Sequence, residues 1–126
     1  MPSLFDRFKR RDVNPGDREL IRHMLRAGEK LGTRSRETTH YLHFHDERAA
    51  RRGAEGAKAA GYVVEVVPPG DGIIDWQVRA SHTILVDEPT ITDARATLTT
   101  VAANAQGRYD GWDTYADAAL DKMAAQ

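Results

Sequence analysis

The sequence predicts one α+β domain in which helices pack on one face of a four-stranded antiparallel sheet. Three observations lead to this fold class. Segments rich in β-branched and aromatic residues alternate with segments whose apolar residues recur at helical spacing. Asn, Pro and Gly stand between these segments, where the chain must turn. The length of 126 residues is enough for one domain with its own core.

The composition limits the class of protein. A hydrophobic content of 40% and a charged content of 29% are typical of soluble globular domains. The absence of cysteine excludes disulfides, thiolate metal sites and cysteine nucleophiles. No apolar run approaches the roughly 20 residues that span a bilayer, and the first residues lack a signal-peptide pattern. We therefore expect a cytoplasmic protein with no membrane association.

The net charge of −1 hides an asymmetry along the chain. Residues 1–60 carry 14 basic and 9 acidic side chains, a net of +5, whereas residues 61–126 carry 4 and 10, a net of −6. The two halves could simply pack together, or they could serve a charged partner or self-association. The oligomeric state stays open. The total near zero disfavours a general nucleic-acid binder.

We expect a flexible basic N-terminal arm at residues 1–16, ahead of a single domain at residues 17–126. Leu4, Phe5 and Phe8 alternate with basic residues, but the segment is shorter than the roughly 12–15 residues at which an isolated helix becomes marginally stable. The arm ends at Asn14-Pro15-Gly16, which interrupts the chain.

The domain is predicted to begin with an extra helix that Asp17 caps and Gly32 ends. A polar connector follows, from Thr33 to Arg36. The buried stripe of this helix is predicted to consist of Leu20, Ile21, Met24, Leu25, Gly28 and Leu31.

Residues 37–45 predict the first strand. Alternation places His40, Leu42 and Phe44 on the core face, and Tyr41, His43 and His45 on the other face. Asp46 then caps a second helix to about residue 60, which Gly61 ends. Its inward positions are small, so we expect it to lie close to the sheet: Ala50, Gly53, Ala54, Ala57 and Ala60.

A hairpin and a further helix follow. Tyr62 to Val67 predict the second strand, Ile73 to Ile84 contain the third, and residues 68–72 form the turn. In the third strand the residues Ile74, Trp76, Val78 and Ala80 alternate with Asp75, Gln77, Arg79 and Ser81, as in a half-buried strand. Residues 87–90 open the third helix, with Thr90 and Asp93 as an approximate capping box, and Gly107 ends it.

A fourth strand at residues 109–113 and a short C-terminal helical segment complete the chain. The order of elements is that of a ferredoxin-like, βαββαβ domain, whose antiparallel sheet has the strand order 4-1-3-2. The fourth strand is then an edge strand beside the first. The extra helix would cover the other face of the sheet or one of its edges.

Motifs for catalysis and cofactors are absent. The sequence contains no G-x-S-x-G, P-loop or G-x-G-x-x-G pattern, so we expect no enzymatic activity. His43 and His45 share a face, and Asp75 could join them at a metal ion, but no known metal-ligand spacing is present. We therefore expect neither a metal nor another cofactor.

RNA-recognition motifs use the same topology and stack bases on aromatic residues of the two central strands. Here the first strand offers Tyr41, but the third offers Asp75, Gln77 and Arg79 on the same face. The acidic second half of the chain would also repel phosphate. Binding of nucleic acid or a small ligand on this open face remains the alternative to binding of a protein.

Residues 108–115, Arg-Tyr-Asp-Gly-Trp-Asp-Thr-Tyr, closely resemble the end of the regulator of ribonuclease E activity B family. Gly61-Tyr62 after a helix, and the helix at 91–105, resemble further segments of these RraB-like inhibitors. The resemblance covers about residues 17–120. It implies a ferredoxin-like domain without enzymatic activity that binds ribonuclease E and inhibits RNA cleavage, thereby regulating RNA processing and decay.

Two sets of residues are singled out by the strand pattern and by the resemblance. The candidate protein-binding residues are Tyr41, His43, Asp75, Arg79, Asp110 and Trp112. The family motif comprises Gly61, Tyr62, Tyr109, Asp110, Gly111 and Trp112. In a regular strand Tyr109 and Trp112 would point to opposite faces, but a bulge at Asp110-Gly111 would bring them to one face. We predict that bulge. The two aromatics would then seal the sheet edge, or Asp110 and Trp112 would be presented to a partner.

Overall fold

The computed structural model describes residues 13–126. The N-terminal arm was predicted at residues 1–16, and residues 1–12 of it lie outside the described range. The elements are α1 (Pro15–Arg26), β1 (Arg36–Phe44), α2 (Glu47–Ala59), β2 (Val63–Val67), β3 (Trp76–Ile84), α3 (Glu88–Asn104), β4 (Arg108–Thr114) and α4 (Asp117–Ala124). None of the helices in this part of the chain has the length and hydrophobicity that crossing a bilayer requires.

The four strands form one antiparallel sheet in the order β2-β3-β1-β4. Read from the opposite edge, this is the predicted order 4-1-3-2. As predicted, His40, Leu42 and Phe44 are buried on the face that α2 and α3 cover. Burial of their apolar area, together with that of Val78 and Ala80 on β3, is the main force that holds helices and sheet together.

Small residues let the two covering helices approach the sheet closely. A Cβ added at Gly53 would overlap the ring of Phe44, and one added at Gly107 would overlap the same ring. Phe44 is thus clamped between α2 and the chain that leaves α3. The expectation of close backbone approach along α2 is confirmed.

The first helix differs from the prediction at both ends. Asn14 is its N-cap, since the Asn14 side chain accepts hydrogen bonds from the backbone N–H groups of Gly16 and Asp17. The helix ends at Arg26 rather than near residue 31, because Gly28 adopts a φ of +89° and the N–H of Glu29 bonds back to Met24.

Two predicted members of the stripe of α1, Leu20 and Leu25, are exposed. Ile21 of α1 does pack inward, in a second cluster with Leu31, Val86, Ile91 and Trp112. Of the two placements left open for the extra helix, the edge of the sheet is therefore the correct one. The helix packs beside α3, at the β4 edge on the helix-covered side.

The third strand begins later than predicted. Asp71 and Gly72 have positive φ angles of 51° and 84°, and Gly70 and Ile73 exchange two backbone hydrogen bonds around them. This tight turn delays β3 until Trp76. Ile74, predicted to face inward, is 87% exposed, and Asp75 lies just before the strand.

Both ends of α3 use different residues from those predicted. Asp87 is the N-cap and accepts from the N–H of Thr90, so the Thr90–Asp93 capping box is wrong. At the other end Gln106, not Gly107, takes the positive φ, of 63°. Gly107 is needed there because a larger residue would collide with Phe44.

The bulge in β4 is confirmed. Gly111 pairs with Tyr41 and Tyr109 pairs with Leu42, so Asp110 is left without a partner in the ladder. Gly111 has a φ of +125°, which favours glycine. The extra residue brings Tyr109 and Trp112 to the same, helix-covered side of the sheet, where both contact buried groups.

Candidate functional site: the open face of the sheet

The sheet face opposite α2 and α3 carries the candidate site, which we call the open face. It consists of Glu37, Thr39, Tyr41 and His43 of β1, Val63 and Glu65 of β2, Gln77, Arg79 and Ser81 of β3, and Asp113 of β4, with Asp75, Asp110 and Arg108 at its border. A cavity of about 400 Å³ opens on this face. Its walls come from all four strands, so the sheet register positions every side chain.

Tyr41 lies near the middle of the open face. Its hydroxyl donates a hydrogen bond of 2.8 Å to Asp113. Burial, reinforced by this bond and by the charge of Asp113, raises the pKa of Tyr41 to about 12. The phenol therefore stays protonated at neutral pH and offers a ring face beside a carboxylate.

His43 connects the candidate residues at the other end of the face. Its Nε2 lies 3.1 Å from the carboxylate of Asp110, and its Nδ1 lies 4.0 Å from that of Asp75. Asp75 also accepts from Arg108 at 3.3 Å. The bulge causes this arrangement, because the extra residue in β4 turns Asp110 towards β1.

Arg79 occupies the central strand β3, directly across from Tyr41. Its guanidinium donates to Gln77 at 3.1 Å and to Glu65 at 3.5 Å. Five of the six candidate residues thus lie on or at the border of one face: Tyr41, His43, Asp75, Arg79 and Asp110.

Trp112, the sixth candidate, lies on the opposite side. It is 8% exposed, and its Nε1 donates a hydrogen bond of 2.9 Å to the carboxylate of Asp17. Asp17 in turn accepts two bonds of 2.7 Å from Arg95. In this structure the indole therefore joins α1 to β4 and is not presented at the surface.

The second motif aromatic, Tyr109, extends this buried row of polar groups. The guanidinium of Arg95 lies 4.7 Å from the centre of the Tyr109 ring, and the hydroxyl of Tyr109 lies 2.8 Å from Nδ1 of His40. The Nε2 of His40 lies 2.9 Å from Nε2 of His82. Burial lowers the pKa of His82 and raises the pKa of Tyr109, so both groups stay neutral at pH 7. The motif pair thus stabilises the fold beneath the open face.

A second buried cluster, which residue patterns did not indicate, anchors the C-terminal segment. Arg36, predicted as part of a connector, begins β1 and is buried; its guanidinium binds Asp117 at 2.6 Å and the carbonyl of Tyr115 at 2.9 Å. The backbone N–H of Lys30, followed by Arg36, lowers the pKa of Asp117. These bonds place Tyr115 at the rim of the cavity.

The chemistry of the open face is anionic. Its carboxylates are Glu37, Glu65, Asp75, Asp110 and Asp113, and its guanidinium groups are those of Arg79 and Arg108. Five negative against two positive charges leave a net of −3 before histidine protonation. Among residues 13–126, no group of three or more His, Asp or Glu side chains is arranged to hold a metal ion.

A family model described as regulator of ribonuclease activity B matches residues 15–114. The chain belongs to the RraB family. The match begins at α1 and ends at the last residue of β4, so it includes every strand and the whole open face. No curated protein matches the chain at a significant level in a sequence search.

Within the RraB family match, the motif glycines have visible conformational roles. Gly61 ends α2 with a φ of +103°, and the N–H of Tyr62 bonds back to the carbonyl of Ala57. Gly111 permits the bulge in β4. Sequence patterns did not single out several residues of the open face as candidates, among them Glu37, Thr39, Ser81 and Asp113. Their only signal was alternation on strands already assigned.

Proposed function

We propose that this RraB-family chain is a non-enzymatic regulator that binds ribonuclease E in the cytoplasm and inhibits its cleavage of RNA. Membership of a family of ribonuclease regulators supports this function. The proposed partner is a protein, and the proposed contact surface is the open face of a ferredoxin-like sheet.

One observation carries the choice of surface. In residues 13–126 the helices α2 and α3 pack on the other side of the sheet, whereas the open face keeps a cavity of about 400 Å³ bordered by polar groups and Tyr41. The candidate residues His43, Asp75, Arg79 and Asp110 stand around the same face. A partner segment placed there would meet hydrogen-bonding groups on every strand.

The charges of this face favour a protein over RNA. Nucleic-acid sites neutralise phosphates with Lys and Arg and stack bases on exposed aromatics. Here carboxylates outnumber guanidinium groups, and among the described strands Tyr41 is the only aromatic residue on the open face. Close approach of a phosphate backbone would therefore be repelled.

A steric variant tests the proposal. Ser81→Gln places a larger uncharged side chain in the cavity, and Thr99→Gln makes the same kind of change on the exposed side of α3. We expect the wild type to bind the host's ribonuclease E and slow cleavage of an RNA substrate. Ser81→Gln should weaken both effects at least about tenfold, because filling the cavity blocks the contact.

The Thr99→Gln control should behave as the wild type in both assays. A wild type that neither binds ribonuclease E at micromolar concentration nor inhibits cleavage would refute the proposed function. Inhibition that Ser81→Gln leaves intact would instead place the contact elsewhere on the domain.

A further inference from the structure

Among residues 13–126, two of the carboxylates that line the cavity of the open face lack a cationic partner. Asp113 accepts from the neutral hydroxyl of Tyr41. The side chain of Glu37 makes no hydrogen bond or ion pair within this part of the chain, although it borders the same cavity. Glu65, in contrast, already shares the guanidinium of Arg79. The unbalanced negative charge therefore lies on the β1–β4 side of the cavity.

The spacing of these two carboxylates is set by the sheet. Asp113 lies directly across from Thr39, and Glu37 precedes Thr39 by two residues on the same face. They are diagonal neighbours on adjacent strands, whose separation is roughly 7–8 Å. Side chains two residues apart in an extended peptide point the same way and are separated by about 6.6–6.8 Å. The two spacings differ by about 1.4 Å at most, which a long side chain such as arginine can span.

Two aromatic rings border the same cavity as these carboxylates. Tyr41 presents its ring next to Asp113, to which its hydroxyl is bonded, and Tyr115 lines the cavity and is partly exposed. A carboxylate beside a tyrosine ring suits a guanidinium, which can bond to the oxygens and stack on the ring. An ammonium group makes the ion pair but lacks the planar stacking surface.

We propose that Glu37, Tyr41 and Asp113 of the open face, together with Tyr115 at the rim of the cavity, bind an extended protein segment with arginines at alternate positions. The site rests on the proposed function and extends it to the chemistry of the partner. One arginine pairs with Glu37, and the arginine two residues further along the segment pairs with Asp113. The side chain between them points away from the sheet. Arg79, directly across from Tyr41 on β3 and paired with Glu65, repels a basic segment and limits how far it reaches towards β2.

Two peptides of equal composition test the spacing. Fluorescently labelled Arg-Ser-Arg-Ser-Arg-Ser-Arg-Ser has arginines at every second position, whereas Arg-Arg-Ser-Ser-Arg-Arg-Ser-Ser has none two residues apart. Fluorescence anisotropy at low salt measures both dissociation constants. We expect the alternating peptide to bind at least about threefold more tightly, because only that peptide pairs both carboxylates at once.

Charge-neutral variants test the residues. The double variant Glu37→Gln/Asp113→Asn keeps the shape of both side chains and should raise the Kd for the alternating peptide at least about fivefold. Glu55→Gln, on the exposed side of α2, is the matched control and should leave it unchanged. Thermal denaturation monitored by circular dichroism checks that all variants remain folded.

Three results would overturn the proposed site: equal Kd values for the two peptides, a double variant that binds as the wild type does, or tighter binding of an RNA octamer than of the alternating peptide. A binding assay with ribonuclease E distinguishes failure of this site from failure of the proposed function. If ribonuclease E binds the double variant and the wild type with equal affinity, the proposed arginine-binding site is refuted and the proposed function stands. If ribonuclease E binds neither protein while the peptides behave as expected, the proposed function is refuted and the proposed arginine-binding site stands.

Discussion

Acidification should destabilise the domain through His40, whose ring lies in the buried polar row beneath the open face. His40 is 0% exposed and is held between the hydroxyl of Tyr109 and the ring of His82. Burial, the neighbouring His82 and Arg95 all disfavour its charged form, while Asp17 favours it. Together they lower the pKa of His40 from 6.5 to about 3.

The sign of the effect follows from proton binding. The unfolded chain takes up a proton on this histidine below pH 6.5, whereas the folded domain does not until about pH 3. The stabilising contribution is therefore fully present above pH 6.5 and is lost progressively as the pH falls towards 3. The lowered pKa of His82 acts in the same direction.

The magnitude is large enough to measure. One pKa unit corresponds to about 1.4 kcal/mol, so a shift from 6.5 to about 3 changes the free energy of unfolding by about 5 kcal/mol over the whole window. Between pH 7.5 and pH 5 the loss from His40 is about 2 kcal/mol. For a domain of this length that corresponds to a fall in Tm of roughly 6–10 °C.

Urea denaturation at a series of pH values between 7.5 and 5 measures the free energy of unfolding. The variant His40→Gln keeps polar atoms in the row but cannot titrate there. It should be less stable than the wild type at pH 7.5 and lose less than about half as much stability on acidification. His45→Gln, an exposed residue outside the row, should keep the wild-type slope.

An NMR titration of the wild type provides a second measurement that does not depend on a variant folding. The His40 ring signals should stay those of a neutral imidazole from pH 8 to pH 4.5. A midpoint for His40 above pH 6, or a wild-type stability that does not change between pH 7.5 and pH 5, would refute the reasoning from burial.

Three substitutions test other parts of the fold by urea denaturation. Asp17→Ala should cost about 3 kcal/mol, since it leaves a half-buried arginine and an indole N–H without their acceptor; a cost below about 1 kcal/mol would contradict that role. Gly111→Ala should cost about 1–2 kcal/mol through its φ of +125° alone, because an added Cβ meets no atom, whereas Gly32→Ala should change little. Gly107→Ala should cost about 2 kcal/mol or more, because its Cβ would overlap both the ring of Phe44 and the backbone carbonyl oxygen of His43; unchanged stability would mean that the ring and this backbone segment both shift freely.

The alternation of apolar and polar residues, together with the turn-forming residues between segments, predicted most of the helices and strands correctly. His40, Leu42 and Phe44 were assigned to the core face because a strand places every second side chain on one side. The bulge was predicted because two large aromatics of opposite parity stood on either side of a glycine. Such predictions need only neighbours along the chain.

The errors at helix ends and in the third strand have a different cause. Asp17 is a residue type that often caps helices, so it was predicted as the N-cap. Its carboxylate is instead bound by Arg95, 78 residues away, and Asn14 caps the helix. Gly28 was placed in an apolar stripe, although its positive φ ends the helix. A glycine or an aspartate has several local uses, and packing selects among them.

Local pattern thus determined the positions of most elements and the small residues of α2, because these depend on residues within one element or its turns. The order of those elements along the chain indicated the fold class and the strand order, and the aromatic motif indicated the family. Folding in three dimensions determined which polar groups meet. It buried Trp112 against Asp17, Arg36 against Asp117 and His40 against His82, and among the described residues it left Glu37 and Asp113 without a cation on the open face. These pairs join residues that are distant in the chain, and a charged side chain bears no local sign of whether its partner is another residue, water or a protein.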